Sequence, residues 1–184
     1  MRKVTTGLFI TLDGITEAPN IWQETFDEDM GAELTAAMSQ IDTILLGRVT
    51  YQEWAGYWPT ATADGEYADF INNTPKYVVS STLNHVEWGS FDTVKLIKGD
   101  SLVQEITKLK AQPGKNIAVQ GSPTLVNALL QLDLLDELQL IVHNVAAYQG
   151  KRLFDGGQLK RMDLVSSKST RSGVVILTYR PRKS

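Results

Sequence analysis

The sequence predicts an α/β fold with a mainly parallel central sheet, helices on both faces and an antiparallel C-terminal hairpin. Three observations carry this. Apolar strand-like runs alternate with segments of helical period through most of the chain. Two of these runs, "LLGRVT" and "VQGSPT", pass through a glycine straight into a helix start, and the last two runs are separated only by "TRSG". Alternating strands and helices are the pattern of parallel βαβ units, whereas consecutive strands across a tight turn form a hairpin.

In chain order, Val4, Leu8, Ile10 and Leu12 occupy alternate positions as far as the turn "LDG", which gives a first strand over 4–12. An acid-rich loop, "ITEAPNIWQETFDED", follows. Leu34, Ala37, Met38 and Ile41 then recur at helical spacing, so a helix capped by Asp27 or a neighbour runs to about Gln40. The strand "DTILLG" comes next. Thr50 and Glu53 have the spacing of a capping box, placing a helix start at Thr50.

A turn-rich stretch over 59–65 leads to a short helix near 66–72 and the strand "KYVVSS". Ser101 and Gln104 suggest another cap, with Leu102, Ile106 and Leu109 on one face, before "QPGK" ends the helix. In "NIAVQGSPTLVNALLQL" an apolar strand meets Gly121, then Ser122 as N-cap and Pro123 at the first helical position. Strands near 138–145, 162–169 and 174–180 complete the chain. There is no repeat, low-complexity tract or linker, so 184 residues with 42% hydrophobic content read as one domain over 1–184.

Lysine and arginine number 18 against 21 acids, a formal net charge of -3, so no overall positive field would hold nucleic acid or an anionic membrane. Cysteine is absent, which excludes disulfides, thiolate catalysis and cysteine-bound metals. His85 and His143 are isolated in sequence, so no metal site is expected. The N-terminal run alternates apolar residues with threonine and reads as a strand rather than a signal or membrane span. A soluble cytoplasmic protein is the default expectation.

Open α/β sheets hold ligands at the carboxyl ends of their strands, where helix N-termini turn unpaired N–H groups outward. Three strand ends stand out here: "LLGRVT", "VVSST" and "VQGSPT". Side by side they would supply a guanidinium, a row of hydroxyls and a glycine-relieved helix start, a cradle for a nucleotide carrying several phosphates. Singly, each has an ordinary reading as a surface arginine, a strand-to-loop transition or a tight turn. The G-x-G-x-x-G fingerprint is absent after the first strand, and so is GxxxxGK[ST].

The loop between the first strand and first helix holds acids but neither lysine nor arginine. Reducing a C=N or C=O bond needs a proton as well as a hydride, which makes carboxyl groups there candidates. Asp13 lies at the sheet edge, and Asp27, with Glu28 and Asp29 as alternatives, lies near the helix start. Acids early in a helix also complement its dipole, and Asp-Gly is a common turn. Trp22 could stack on a flat substrate or pack as part of a lid.

"GRVTYQEWAGYWP", "KYVVSSTL", "VQGSPTLVNALL", "LDELQLIVHNV" and "LFDGG", in that order, resemble the dihydrofolate-reductase-like superfamily. Within it they are similar to the bacterial group around the reductase domain of the riboflavin pathway, the RibD C-terminal domain. The resemblance implies an NADPH-dependent reductase of a small, pterin- or pyrimidine-like substrate. By position it implies that Gly47, Arg48 and Thr50 meet cofactor phosphates and that Ser80, Ser81 and Thr82 meet the ribose 2′-phosphate. Gly121, Ser122, Thr124 and Leu125 would meet the pyrophosphate and nicotinamide ribose. Asp13 resembles the aspartate of the family's "S-L-D-G" turn, and Asp27 falls where dihydrofolate reductases keep a substrate-binding carboxylate. Related proteins often pair, so the resemblance admits a homodimer. After "DEL" the chain reads "HNVAAYQGKRLFDGG" in place of the usual proline-valine and glycine-rich segment, so contacts made there by riboflavin-pathway reductases are not implied. The alternative is a non-catalytic NADP(H)-binding module or scaffold of the same fold.

Overall fold

The first strand, β1 (Val4–Thr11), lies inside the sheet between two strands made much later in the chain. The computed structural model describes residues 1–62 and 65–183. After β1 come α1 (Pro19–Trp22), α2 (Glu28–Ser39), β2 (Ile41–Gly47), α3 (Arg48–Ala55), α4 (Gly65–Asn73), β3 (Lys76–Val79) and β4 (Val94–Ile97). The second half supplies α5 (Leu102–Ala111), β5 (Asn116–Val119), α6 (Pro123–Gln131), β6 (Glu137–His143), β7 (Met162–Ser169) and β8 (Val175–Pro181).

The eight strands order as β4-β3-β2-β5-β1-β6-β8-β7. Pairings from β4 through β6 are parallel; β8 runs antiparallel to both β6 and β7. The hairpin of β7 and β8 therefore forms one edge of a parallel sheet, as the sequence pattern predicts. Two elements lack a strong sequence signal. β4 is four residues long and carries Lys95, and α1 is one turn inside a loop.

On one sheet face Leu45 and Val119 pack in one cluster with Ile106 of α5 and Leu129 of α6. On the other, Ile44, Leu46, Val78 and Trp88 pack with Tyr51 and Ile71. Full burial of an aliphatic side chain of this kind contributes about 1.5–3 kcal/mol. Lys76 is wholly buried in the second layer, and its ammonium donates to the carbonyls of Ile71, Asn72 and Thr74 and to the Thr93 hydroxyl. Burial pushes that ammonium down to about 8.

α2 touches the sheet differently. Asp27 caps it by accepting from the Met30 N–H at 2.9 Å, and Met30 is the helix's one buried residue, set against Ile141, Val174 and Ile176. Beyond Met30, Leu34 packs partly against the same cluster, and a cleft opens between the rest of the helix and the strands. The midpoint of β1 lies exposed beneath it, at Gly7.

Candidate functional site

The helix that follows β2 begins at once. Gly47 is the N-cap of α3 and Arg48 its first residue, so Thr50 sits a turn inside and the expected Thr50–Glu53 capping box does not form. The physical reason is the backbone of Gly47, which at φ -74 and ψ 159 is already the extended cap conformation. The first N–H groups of α3 therefore point beyond the carboxyl end of the sheet rather than into a side-chain cap.

The end of β5 repeats the arrangement. Ser122 is the N-cap of α6 with Pro123 in the first turn, and its hydroxyl makes no capping bond. Gly121 has φ 120, a conformation that favours glycine, and its carbonyl accepts from the Gly47 N–H at 2.8 Å. A Cβ on Gly47 would stand 2.6 Å from the Ser122 oxygen, so the two strand ends fit only with glycine there.

At the end of β3, the buried Ser80 hydroxyl accepts from the N–H groups of Thr82 and Leu83 at 3.2 and 3.1 Å and so folds the turn. This leaves Ser81 and Thr82 exposed. A Cβ on Gly99 would lie 2.1 Å from the Ser81 oxygen, so a second glycine permits this wall to close.

These ends enclose a groove of about 440 Å³, within the size range of small-molecule sites. Gly47, Arg48, Ser80, Ser81 and Thr82 line it, as do Ser122, Thr124 and Leu125. Thr50 and Gly121 are not among the lining residues. They pack on each other, the Thr50 hydroxyl standing 3.0 Å from where a Gly121 Cβ would be. No carboxylate lines the groove. Arg48 donates to the Gln52 carboxamide at 2.9 Å, which leaves its charge uncompensated by that contact.

Lys151 adds a second cation that the sequence reading did not single out. Its loop is tied to the first strand: Ile15 bridges Arg152, and the Lys151 N–H donates to Glu17 at 3.1 Å. Gly150 at φ 116 permits the approach, since a Cβ there would meet the Ile15 side chain at 2.8 Å. The glycine before Lys151 is the visible sequence signal, but its partner lies more than a hundred residues away.

Asp13, Asp27 and Trp22 are outside this groove. Asp13 accepts from the Thr11 hydroxyl at 2.6 Å and from the N–H groups of Ala147 and Tyr148 at 3.0 and 2.8 Å. The Thr11 bond, opposed by partial desolvation and reinforced by the two N–H groups, lowers its carboxyl to about 2. Asp27 accepts from Met30 and, through its other oxygen, from the Ser172 N–H at 3.0 Å. The Met30 bond foremost holds it far below the usual carboxylate range. Both are ionised at neutral pH and serve as backbone ties, which does not suit either to donating a proton.

Trp22 is also engaged. Its indole donates to the Glu17 carbonyl at 2.9 Å, and its ring meets His143 edge-on at 5.5 Å between centroids. His143 is buried, with Phe9 on another side, and burial lowers its pKa, so the imidazole is neutral.

The sequence model described as the RibD C-terminal domain matches residues 2–176. The chain belongs to the RibD C-terminal domain family. A relative in it, the uncharacterized protein YyaP of Bacillus subtilis (strain 168), is 34% identical, the alignment covering 97% of this chain and 94% of that one. Among solved structures, a candidate riboflavin biosynthesis protein of Shewanella sp. PV-4 superposes with a TM-score of 0.80 at 21% identity, over 98% of this chain and 99% of the other. The dihydrofolate reductase of Enterococcus faecalis, complexed with NADP(H), superposes with a TM-score of 0.63 at 12% identity, over 98% and 97% of the two chains. At these identities both structures report a shared fold. This RibD C-terminal domain member thus shares its fold with that dihydrofolate reductase.

Proposed function

We propose that the protein is an NADPH-dependent reductase of a C=N or C=O bond in a small heterocyclic substrate. The observation that carries this is the groove itself, where three strand ends, two helix N-termini, Arg48 and Lys151 meet; no carboxylate lines it, and Lys151 lies 3.9 Å from Glu17 at its margin. Such a donor set suits a phosphorylated dinucleotide. Gly47 and Gly121 fit the same role, since their missing side chains let backbone approach backbone where the pyrophosphate would lie. Arg48 and the first turn of α3 would hold one phosphate, and Ser122 and Thr124 at the start of α6 another. Ser81 and Thr82 would hydrogen-bond the ribose 2′-phosphate, and Leu125 would border the nicotinamide ribose.

When bound, NADPH supplies the hydride that adds to the acceptor carbon. The heteroatom then takes a proton. Because Asp13 and Asp27 are held ionised, that proton comes from water, and Asp13 acts by fixing the loop at Ala147 and Tyr148 beside the end of β1.

The test is a thermal-shift comparison followed by a rate measurement. NADPH raises the melting temperature more than NADH, and NADPH absorbance at about 340 nm decays with a pterin, pyrimidine, imine or carbonyl acceptor. Equal shifts, or none, overturn the cofactor assignment. The double engagement of Asp13 and Asp27 favours a second reading, a non-catalytic NADP(H)-binding module. NADPH binding without oxidation against that panel would select it.

A further inference from the structure

Residues 18–26 form a strap that is tied at its ends. Its root lies where the Thr16 N–H donates to the Lys151 carbonyl at 3.0 Å, and it ends where Asp27 caps α2. Its hydrogen bonds, from Ile21 to Ala18, Gln23 to Pro19 and the Trp22 indole to Glu17, all stay inside 17–26. Among the described residues no hydrogen bond or ion pair joins 18–26 to any other part of the chain. α1, which lies within the strap, has no buried residue, and Ile21 and Phe26 are exposed. What seats the strap is one ring: Trp22 meets the buried His143 edge-on, 5.5 Å between centroids and 70° between planes.

We propose that Trp22 and His143 form an acid-released latch, in which Trp22 seals a neutral imidazole and a proton on that imidazole drives the strap open. The His143 ring has nowhere to place a charge. Its Nε2 is buried without a hydrogen-bond partner, and protonation would make both ring nitrogens donors in a site that disfavours the charged form. Phe9 of β1 meets the ring at 5.4 Å, and the pairing of His143 with Thr11 fixes its backbone in the sheet, so Trp22 is the wall that can leave. The root of the strap favours its leaving. Ala18, the N-cap of α1, is held at φ 49 and ψ 56, a left-handed conformation that a Cβ disfavours. The Thr16 hydroxyl is the other buried side-chain group without a partner among the described residues.

The charged groups on the surrounding elements are engaged elsewhere. At the end of β1, Asp13 accepts from Thr11, Ala147 and Tyr148; at the root of the strap, Glu17 accepts from the Lys151 N–H. At the start of α2, Asp27 accepts from Met30 and Ser172, while Glu28 and Asp29 pair with Arg171 of the β7–β8 turn. Glu24, in the strap itself, is exposed. Among the described residues none of these makes an ion pair or hydrogen bond with His143, so no carboxylate stands ready to hold an imidazolium, and burial favours the neutral ring. Glu17 also lies 3.9 Å from Lys151, so the latch joins pH to the margin of the groove. No part of it depends on which nucleotide the groove holds.

The chain has two histidines, so imidazole proton NMR of the full chain follows each through a titration from about pH 7.5 to 4.5, around the ordinary value. The signal missing from His143→Phe belongs to His143. It titrates below 6.5 in the wild type and moves up toward 6.5 in Trp22→Ala, because a proton that opens the latch binds more readily once the latch is gone. The signal of the exposed His85 stays in place between the two. Trp22 emission, taken as the difference between wild type and Trp22→Phe, shifts to the red with the His143 midpoint while far-UV circular dichroism stays constant. Should His143→Phe not fold, which its melting curve shows, His143→Gln makes the assignment. The latch is overturned by an unchanged His143 midpoint in Trp22→Ala, or by a downward one, which a cation–π contact with the indole would produce. It is equally overturned by a ring that stays neutral throughout, by Trp22 emission that holds still while His143 titrates, or by unfolding that precedes the shift.

Discussion

Gly47 and Ser122 meet so closely that a single methyl group on Gly47 would stand 2.6 Å from the serine oxygen and 3.0 Å from its backbone nitrogen. Two helix N-termini are held side by side by this contact. Gly47→Ala should push the β5 terminus outward and weaken NADPH binding by about tenfold, or roughly 1.4 kcal/mol. Titration of the variant against the wild type reads the change. An unaltered dissociation constant would show that the contact does not shape the cofactor groove.

Ser81 is exposed on the groove wall and contributes a hydroxyl without a charge. Ser81→Glu should repel a 2′-phosphate and leave a 2′-hydroxyl little affected. The expected result is NADPH affinity reduced by about tenfold or more while NADH affinity holds, read by paired titrations. Parallel losses for both cofactors would move the 2′-phosphate elsewhere.

Asp27 joins the start of α2 to the β7–β8 turn through Met30 and Ser172. Its carboxyl is more acidic folded than unfolded, so it stabilises the protein fully above its ordinary value of 3.8 and progressively less as pH falls below that. Asp27→Asn should therefore melt below the wild type at pH 7, and the gap should close on acidification. A constant gap across pH 2–7, a range of about five units around the carboxylate value, would mean the charge is irrelevant to the tie.

Lys76 closes the carbonyl end of α4 from inside the core. Lys76→Met removes the donor to the Ile71 and Thr74 carbonyls, while the Thr93 hydroxyl still donates to Asn72, a loss of about 3 kcal/mol by denaturant unfolding. The buried ammonium loses its proton near 8, while an unfolded lysine keeps it to about 10.4. The unfolded chain thus binds more protons across that window, and wild-type stability relative to Lys76→Met should rise with pH between those values. A flat difference would show that the ammonium remains charged throughout.

The alternation of strands and helices made the sheet legible, and the glycines of "LLGRVT" and "VQGSPT" made its ligand edge legible. Eight of the residues singled out for a cofactor line a single groove. Thr50 misled because a capping box is a local pattern, while the actual helix start was set by the backbone of Gly47. Asp13 and Asp27 look alike in sequence to carboxylates awaiting a substrate; only the fold brings Ala147, Tyr148 and Ser172 to them. Lys151 and the Trp22–His143 contact were hidden for the same reason, since each depends on the meeting of distant segments.

The burial of β1 between β5 and β6 has a consequence for biosynthesis. A ribosome releases the first strand early, yet its parallel neighbours at 116–119 and 137–143 emerge only after most of the chain has been translated. Until then Val4, Leu8 and Ile10 have no pairing partner, so a stalled or prematurely ended polypeptide presents a sticky, unsheltered edge. The same topology that brings three strand ends together at one edge delays the sheltering of β1 until late in synthesis.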